Sequence, residues 1–509
     1  MKKSVRNLVV LLVIVLAMAG VIYGLTLNPG ETEEASSSAA EETREKLLNY
    51  ASEDIDSIEI SSPLGSYTAK AVETTGLAEG YESAADSEAE TVISYTIPDL
   101  ADFDLNTVAV TTAAESLYPL MASKNLGEQS ELEPYGLSGD GEGKAVFRFK
   151  DGSSETLIIG GEAGSGIGTY VLCQGKVYVV NGISANLLMD PYDFLDKTVY
   201  TVASQGTMDE AGNPAEAPDL LERLYFSGSR FPEPIEVVYE PREFINYRMK
   251  TPMEADAAID KISGLTEPLK QLGAAAVVLP GYQRADLESY GLLAPAAALT
   301  FVMNGESHEI QASEPDAEGN CYVIADDKEN IYQLPWSDLA PWAELSLMDL
   351  RSNYIRLPNI NEVQSLALIT PETRLDLEIS RTTEETESKP EQEAASAEAE
   401  KPKNYILTIH CQGKEVAYEE VYQPFYQDLI SMTILSADAL PYDGENPVLE
   451  VLYSYFDGGT TSLAFYPVED LDRYAVEVDG AFNGILRQST VEELIAQMEG
   501  VRENRPAEA

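Results

Sequence analysis

The chain has 509 residues, 44% of them hydrophobic, enough to bury several cores, and its length suggests roughly three domains. Lys and Arg total 33 against 87 Asp and Glu, a net charge of −54; so acidic a surface repels phosphate backbones and anionic lipid headgroups, which argues against nucleic acid as a partner. Cys173, Cys321 and Cys411 form no C-x-x-C pair, which removes zinc-knuckle and thioredoxin-like chemistry; each lies in an apolar run as a small buried hydrophobe does, and a disulfide between two of them stays open.

Lys2, Lys3 and Arg6 precede an uncharged run from Leu8 to Leu27. At a rise of 1.5 Å per residue this run reaches about 30 Å, the thickness of a bilayer's hydrocarbon core. Cations before it and Glu31, Glu33 and Glu34 after it place the N-terminus in the cytoplasm and the bulk outside, as a single-pass cell-membrane protein. A signal peptide cleaved near Ala17-Met18-Ala19 is the competing reading. Continuation of the run through Val21, Ile22, Tyr23 and Leu25 favours an uncleaved anchor, and no cysteine follows it to carry a lipid. Residues 28–48 read as an acidic flexible linker.

A first module is expected over residues 49–203. Ile55 to Ile60 and Tyr67 to Val72 alternate as strands do, and Asn106 to Ala122 reads as a helix with Val108, Leu117 and Leu120 among its apolar positions. After Leu132-Glu-Pro-Tyr135-Gly136-Leu137 come two hairpins: Ala145–Phe149 with Thr156–Ile159 around Asp151-Gly152, and Tyr170–Cys173 with Val177–Val180 around Gln174-Gly175. A closing helix is expected from Ile183 to Lys197.

Residues 204–219 read as a linker, and 220–358 as a second module. Ile235–Tyr239 and Phe244–Met249 are expected strands, Met253–Leu272 a helix and Ala275–Leu279 a strand. The phrase returns as Leu287-Glu-Ser-Tyr290-Gly291-Leu292, an offset of 155 residues (287 − 132). Hairpins follow again: Ala298–Met303 with His308–Ile310 around Asn304-Gly305, then Cys321–Ile324 with Ile331–Leu334. A period of this size means a duplicated domain, not a solenoid.

A fainter third module occupies 359–500. Val363–Ile369, Leu375–Ile379 and Tyr405–Cys411 are strands, the last after a low-complexity acidic insertion at 381–403 expected to be disordered. Gln423–Ser431 reads as helix, and Leu440-Pro-Tyr-Asp-Gly444 stands in for the Tyr-Gly-Leu phrase. Val448–Phe456 and Thr461–Tyr466 form a hairpin around Asp457-Gly458; Tyr474–Val478, Gly484–Leu486 and a helix over Thr490–Met498 follow, with 501–509 as a tail. The expected fold class is α+β: an N-terminal transmembrane helix, then two or three modules of antiparallel hairpins with one or two packed helices each.

The Tyr-Gly-Leu phrase, the hairpin with its Asp-Gly turn, the stretch from Ile159-Gly160 to Tyr170-Val171 and the closing Asp349-Leu350-Arg351 resemble the domain of unknown function 4340 family. The resemblance covers about residues 50 to 350 well and 360 to 500 weakly. It implies tandem copies behind a membrane anchor and an ABC-type permease as partner, of the kind first associated with gliding motility; it supplies no catalytic residues.

Candidate sites are few. His308 and His410 lie in different modules with no H-E-x-x-H around them and read as ordinary strand histidines. The run Gly160 to Gly168 lacks the Lys-Ser/Thr of a phosphate loop and joins strand to strand, so it reads as a flexible connection. Asp316 to Asn320 and Asp326 to Glu329 offer oxygen ligands for calcium without the spacing of a twelve-residue loop, and read as solvated hairpin tips. Tyr170, Tyr178, Tyr322 and Tyr332 could line a glycan- or peptide-binding face, or simply suit half-exposed strands. No G-x-S-x-G elbow occurs. Tyr135 and Tyr290 are expected to pack under a turn, Gly136 and Gly291 to take positive φ, and Leu137 and Leu292 to close the phrase. The expectation is a non-enzymatic, cofactor-free extracytoplasmic scaffold or accessory protein of an ABC-type or cell-envelope complex; the alternative is an independent binding module for envelope glycan or peptide.

Overall fold

The computed structural model describes residues 45–75, 91–164, 168–204, 206–208, 214–216, 218–241, 246–326, 328–383, 405–469 and 471–506. The apolar run Leu8 to Leu27, the acidic linker up to residue 44 and most of the 381–403 insertion lie outside them; Glu45–Leu48, expected as the end of that linker, is a strand instead, with Leu48 buried. Among the described residues no helix is long and apolar enough to cross a membrane. The structure is mostly antiparallel sheet with few helices, and its described residues fall in two compact units: one from 45–63, 73–75, 91–93, 111–164 and 168–188, the other from 64–72, 94–110 and the described residues between 189 and 506.

The first sheet uses β1 (Glu45–Leu48), β2 (Ile55–Ser62), β3 (Gly65–Thr75), β4 (Thr91–Thr96), β5 (Leu120–Gly127), β6 (Gly143–Phe149), β7 (Ser154–Ala163), β8 (Gly168–Cys173) and β9 (Lys176–Val180). Its order within the first unit is β1-β5-β9-β8-β7-β6-β2. Short β10 (Thr198–Thr201), β11 (Gly206–Met208) and β12 (Pro214–Glu216) follow, so the expected linker contains a small hairpin of β11 and β12.

The second sheet has β13 (Leu221–Ser227), β14 (Ile235–Tyr239), β15 (Tyr247–Thr251), β16 (Ala255–Asp256), β18 (Ala276–Pro280), β19 (Ala297–Met303), β20 (Glu306–Ala312), β21 (Asn320–Ala325) and β22 (Asn330–Pro335); β17 (Gln271–Gly273) pairs separately with β10. The third has β23 (Val363–Ile369), β24 (Arg374–Thr383), β25 (Tyr405–Cys411), β26 (Lys414–Val416), β27 (Leu449–Tyr455), β28 (Thr460–Pro467), β29 (Arg473–Val478) and β30 (Ala481–Arg487). Their orders are β16-β15-β14-β13-β19-β20-β21-β22-β18 and β26-β25-β24-β23-β27-β28-β29-β30. Five strands therefore recur in one order three times: β2-β6-β7-β8-β9, β13-β19-β20-β21-β22 and β23-β27-β28-β29-β30.

The centre of each sheet is the same pairing. Ile58 stands opposite Phe147, Leu224 opposite Phe301 and Leu366 opposite Tyr453, all buried. Each first strand is bulged near its start, between Ile55 and Ser57, Leu221 and Arg223, and Val363 and Ser365. The hairpins predicted from Asx-Gly turns form as expected: Asn304 and Gly305 take φ of 55° and 81°, the two left-handed residues of a type I′ turn. In the third sheet, α5 (Gln423–Ile430) and α6 (Gln488–Arg502) cover one shared core, with Phe425, Tyr426 and Leu429 meeting Leu494, Met498 and Val501.

The helices are where expectation fails. α1 spans Thr107–Glu115 only, its first turn capped by Asn106 Oδ1 accepting the Ala109 N–H at 3.0 Å. Pro119 disfavours helix at Tyr118, and Leu120 begins a strand instead. Val108 is 74% exposed, while Val110 and Leu117 are buried. The expected helix Ile183–Lys197 is two 3₁₀ turns, Ala185–Leu188 and Pro191–Phe194, the second opened by proline. Of Met253–Leu272 only α2 (Ile259–Ser263) is helical, with Gly264 and Pro268 beyond it. The second module also gains an unexpected first strand, β13, at the centre of its sheet. Replacing Phe301 by Ala should destabilise the fold by about 3–5 kcal/mol in urea titration, whereas Val108→Ala should change it by less than about 0.5 kcal/mol.

Candidate functional site

The repeated phrase folds the same way twice. Leu137 N–H donates to the Leu132 carbonyl at 3.1 Å and Gly136 N–H to Glu133 at 3.0 Å; Leu292 donates to Leu287 at 2.8 Å and Gly291 to Glu288 at 3.2 Å. This pair of 6→1 and 5→2 bonds is a Schellman closure, which needs a left-handed residue at its fifth position. Gly136 and Gly291 supply it with φ of 66° and 69°. Tyr135 meets Tyr170 edge-on at 5.0 Å and Tyr290 meets Tyr322 at 4.9 Å, while Leu137 and Leu292 are buried. The third counterpart differs: Tyr442 donates its hydroxyl to Glu477 Oε1 at 2.8 Å and packs its ring on Tyr466.

Other expectations resolve individually. Gly160 and Gly161 belong to strand β7, not to a flexible connection, and a Cβ on Gly160 would lie 2.3 Å from the Tyr135 carbonyl oxygen. His308 does more than occupy a strand: Nδ1 lies 2.8 Å from Asp326 Oδ2, and its ring sits between Phe301 and Tyr200, centroids 5.2 and 5.1 Å away. His410 stands on β25 opposite Glu378 and Glu415. Asp316 Oδ1 accepts N–H groups from Glu318 and Asn320, and Asp326 Oδ1 accepts that of Glu309, so these acidic turns direct carboxylates to backbone donors. Among the described residues no three His, Cys, Asp or Glu gather as a metal set. Tyr178 and Tyr332 are buried, which removes them from any exposed tyrosine face; Tyr170 and Tyr322 are half-buried under the phrase. All three cysteines are free and buried, and burial pushes the Cys173 thiol up to about 11.

The closing Asp349-Leu350-Arg351 builds the most elaborate polar arrangement. Ser346 caps the short helix Leu347–Leu350: its hydroxyl accepts the Asp349 N–H, and Asp349 Oδ2 accepts the Ser346 N–H at 2.9 Å. Arg351, 1% exposed, donates to Ser352 O at 3.1 Å, Met253 Sδ at 3.3 Å, Asn483 Oδ1 at 3.1 Å and the Asn483 carbonyl. Asn483 lies on β30. In the first two sheets β5 and β18 flank the equivalent strands β9 and β22; beside β30, among the described residues, Leu435 and Ser436 exchange bonds with Ile485, and Arg351 serves the Asn483 carbonyl. Sequence alone names Arg351 but not its role, because its partner lies 132 residues away.

On its other side this arrangement borders a cleft of about 470 Å³, lined by Asp256–Lys261 and residues from Met348 to Leu357. A cleft of about 640 Å³ occupies the equivalent place one repeat earlier, lined by Asp104, Asn106, Asp193 and Lys197. Matching backbone bonds frame both: Asn106 to Phe194 O and Asp196 to Asp104 O in one, Ala258 to Leu350 O and Ser352 to Asp256 O in the other.

A family model described as Domain of unknown function (DUF4340) matches residues 95–211 and 248–410, together more than half of the chain. The first match begins within β4 and the second within β15. No curated protein and no solved structure gives a match.

Gly291→Ala should cost about 1 kcal/mol, since its Cβ would meet only Ser313 Cβ at 3.4 Å; Gly136→Ala, whose Cβ would lie 2.7 Å from the Gly161 nitrogen, should cost at least twice that in urea titration. The hydrogen bonds from Ser346 hold the Asp349 carboxyl below its ordinary value. A depressed carboxyl stabilises fully above the unfolded value of about 4, and that contribution drains as pH falls through the lower folded value. Asp349→Ala should therefore lower stability by about 0.5–1 kcal/mol at neutral pH, with the gap from the parent narrowing below about pH 4 in thermal melts.

Proposed function

We propose a role that proceeds from one premise: this chain belongs to the domain of unknown function 4340 (DUF4340) family. It acts as a non-enzymatic accessory or scaffold subunit of an ABC-type transport or cell-envelope complex, anchored by Leu8 to Leu27 with its bulk outside the cell. In finer detail, it is a series of α+β modules over residues 49–203, 220–358 and 359–500, each presenting antiparallel hairpins with one or two packed helices.

The observation that carries this reading is the five-strand order repeated three times, with tail segments bonded into the module that follows. β10 pairs with β17, Lys328 Nζ donates to Thr198 O at 2.6 Å, and Ala203 N–H donates to Glu306 at 3.2 Å. The next tail repeats the device with the bridge between Tyr354 and Thr433. Repeated modules of one strand order offer repeated surfaces, which suits a subunit that organises partners. The charge of −54 keeps such a surface soluble and away from anionic headgroups.

Tagged full-length protein purified from membranes in mild detergent should bring down an integral-membrane permease and its ATPase. Recovery of the protein alone, in repeated purifications under crosslinking, would refute the role.

A further inference from the structure

His308 keeps an unmet acceptor where two carboxylates converge. Its side chain is 11% exposed, with the ring between Phe301 and Tyr200, and Nε2 is buried with no hydrogen-bond partner among the described residues. Nδ1 lies 2.8 Å from Asp326 Oδ2. An ionised carboxylate only accepts, so in the neutral ring the hydrogen sits on Nδ1 and Nε2 is left as a bare lone pair. Glu306 Oε2, another acceptor, stands 3.8 Å from it.

The same Glu306 oxygen holds the segment Thr198–Ala203. It accepts the Ala203 N–H at 3.2 Å, while Asn304 Nδ2 donates to the Ala203 carbonyl at 3.1 Å and Val202 N–H to Lys270 O at 2.8 Å. Tyr200, from that segment, covers one side of the His308 ring. The titratable groups around the ring are therefore Glu306 on its own strand, Asp326 from the turn after β21 and Tyr200 from the segment; Phe301 of β19 brings none, and Glu309 alternates to the opposite face of β20. Burial, helped by the Asp326 charge, pushes the Tyr200 hydroxyl up, so it stays neutral. The cations nearby are engaged elsewhere: Lys328 Nζ donates to Thr198 O, and Lys270 pairs with Asp219 and Glu267.

We propose that His308 is a pH-sensitive latch: a proton on Nε2 lets the ring donate to Glu306 Oε2 and fastens Thr198–Ala203 to the second sheet. One carboxylate oxygen then joins His308 to Ala203, Asp326 balances the imidazolium charge, and Tyr200 and Phe301 offer it their ring faces. Without that proton Oε2 meets a second acceptor, and the segment keeps only its backbone bonds and the Asn304 amide. The contribution is present in acid and is lost as pH rises and Nε2 gives up its proton. His410, the chain's other histidine, stands on β25 opposite Glu378 and Glu415 and has no such segment to hold. The latch does not depend on whether the protein serves a transport complex.

The test is hydrogen–deuterium exchange of full-length protein in mild detergent, read by mass spectrometry on peptides covering Thr198–Ala203 and corrected for the pH dependence of unstructured amides. Relative to peptides from β27, protection of the segment should rise about fivefold from about pH 8 to about pH 5. His308→Gln should remove that rise. Glu306→Gln, at a position 47% exposed, keeps an oxygen for the Ala203 N–H but leaves no carboxylate for the imidazolium, and should remove it too. His410→Gln should preserve it. Equal protection at both pH values, better protection at the higher one, a rise that persists in His308→Gln or Glu306→Gln, or one that disappears in His410→Gln overturns the proposal.

Discussion

Each sheet depends on an antiparallel pairing between its first strand and a strand made much later. The central partners lie 89, 77 and 87 residues apart (147 − 58, 301 − 224 and 453 − 366). Closing loops of that length costs on the order of 4 kcal/mol plus a constant, comparable to burying two large apolar side chains at about 1.5–3 kcal/mol each. Apolar partners at the seam are therefore a requirement of the topology. Once it closes, the following hairpins add locally: Phe301 lies opposite His308 across a two-residue turn. The bulge near the start of each first strand lets Ile55, Leu221 and Val363 stay buried while the strand bends at its entry.

What could be read from sequence follows from this division of labour. Hairpins are local, and the Asx-Gly turns at Asn304-Gly305 and Asp457-Gly458 sit where they were expected, with Gly458 at φ 89°. Strands Val363–Ile369 and Tyr405–Cys411 match residue for residue because alternation and length both marked them. The helices were overread because Ala-rich and Leu-rich stretches after Asn106 and Met253 have helical composition, while Pro119, Gly264 and Pro268 divide them into short pieces. Leu221–Ser227 went unseen beside an acidic stretch, although Leu221, Leu224 and Phe226 are its buried residues. Its partner, β19, is distant in the chain, and no local pattern announces a seam.

The candidate site was legible only in its turn chemistry. A recurrent Tyr-Gly-Leu signals a left-handed glycine and a buried leucine, and both copies show these. Nothing in that phrase says that Gly160 must lie against the Tyr135 carbonyl, a contact made across the sheet. Arg351 illustrates the same limit more sharply. An arginine among so many carboxylates would be assigned a salt bridge by default, yet its bonds go to two carbonyls, an amide oxygen and a thioether. Its bonds hold a strand edge beside which no further strand lies among the described residues.

That edge has a temporal meaning. Synthesis runs from the N-terminus, so Arg351 leaves the ribosome well before Asn483, and the second repeat can be complete while the third is still emerging. β30 is then the last strand of its sheet to arrive, and the group that receives its carbonyl already stands in place. The bonds between Arg351 and Asn483 can therefore form only after the later repeat has been made, so the burial of this one side chain waits on a segment 132 residues downstream.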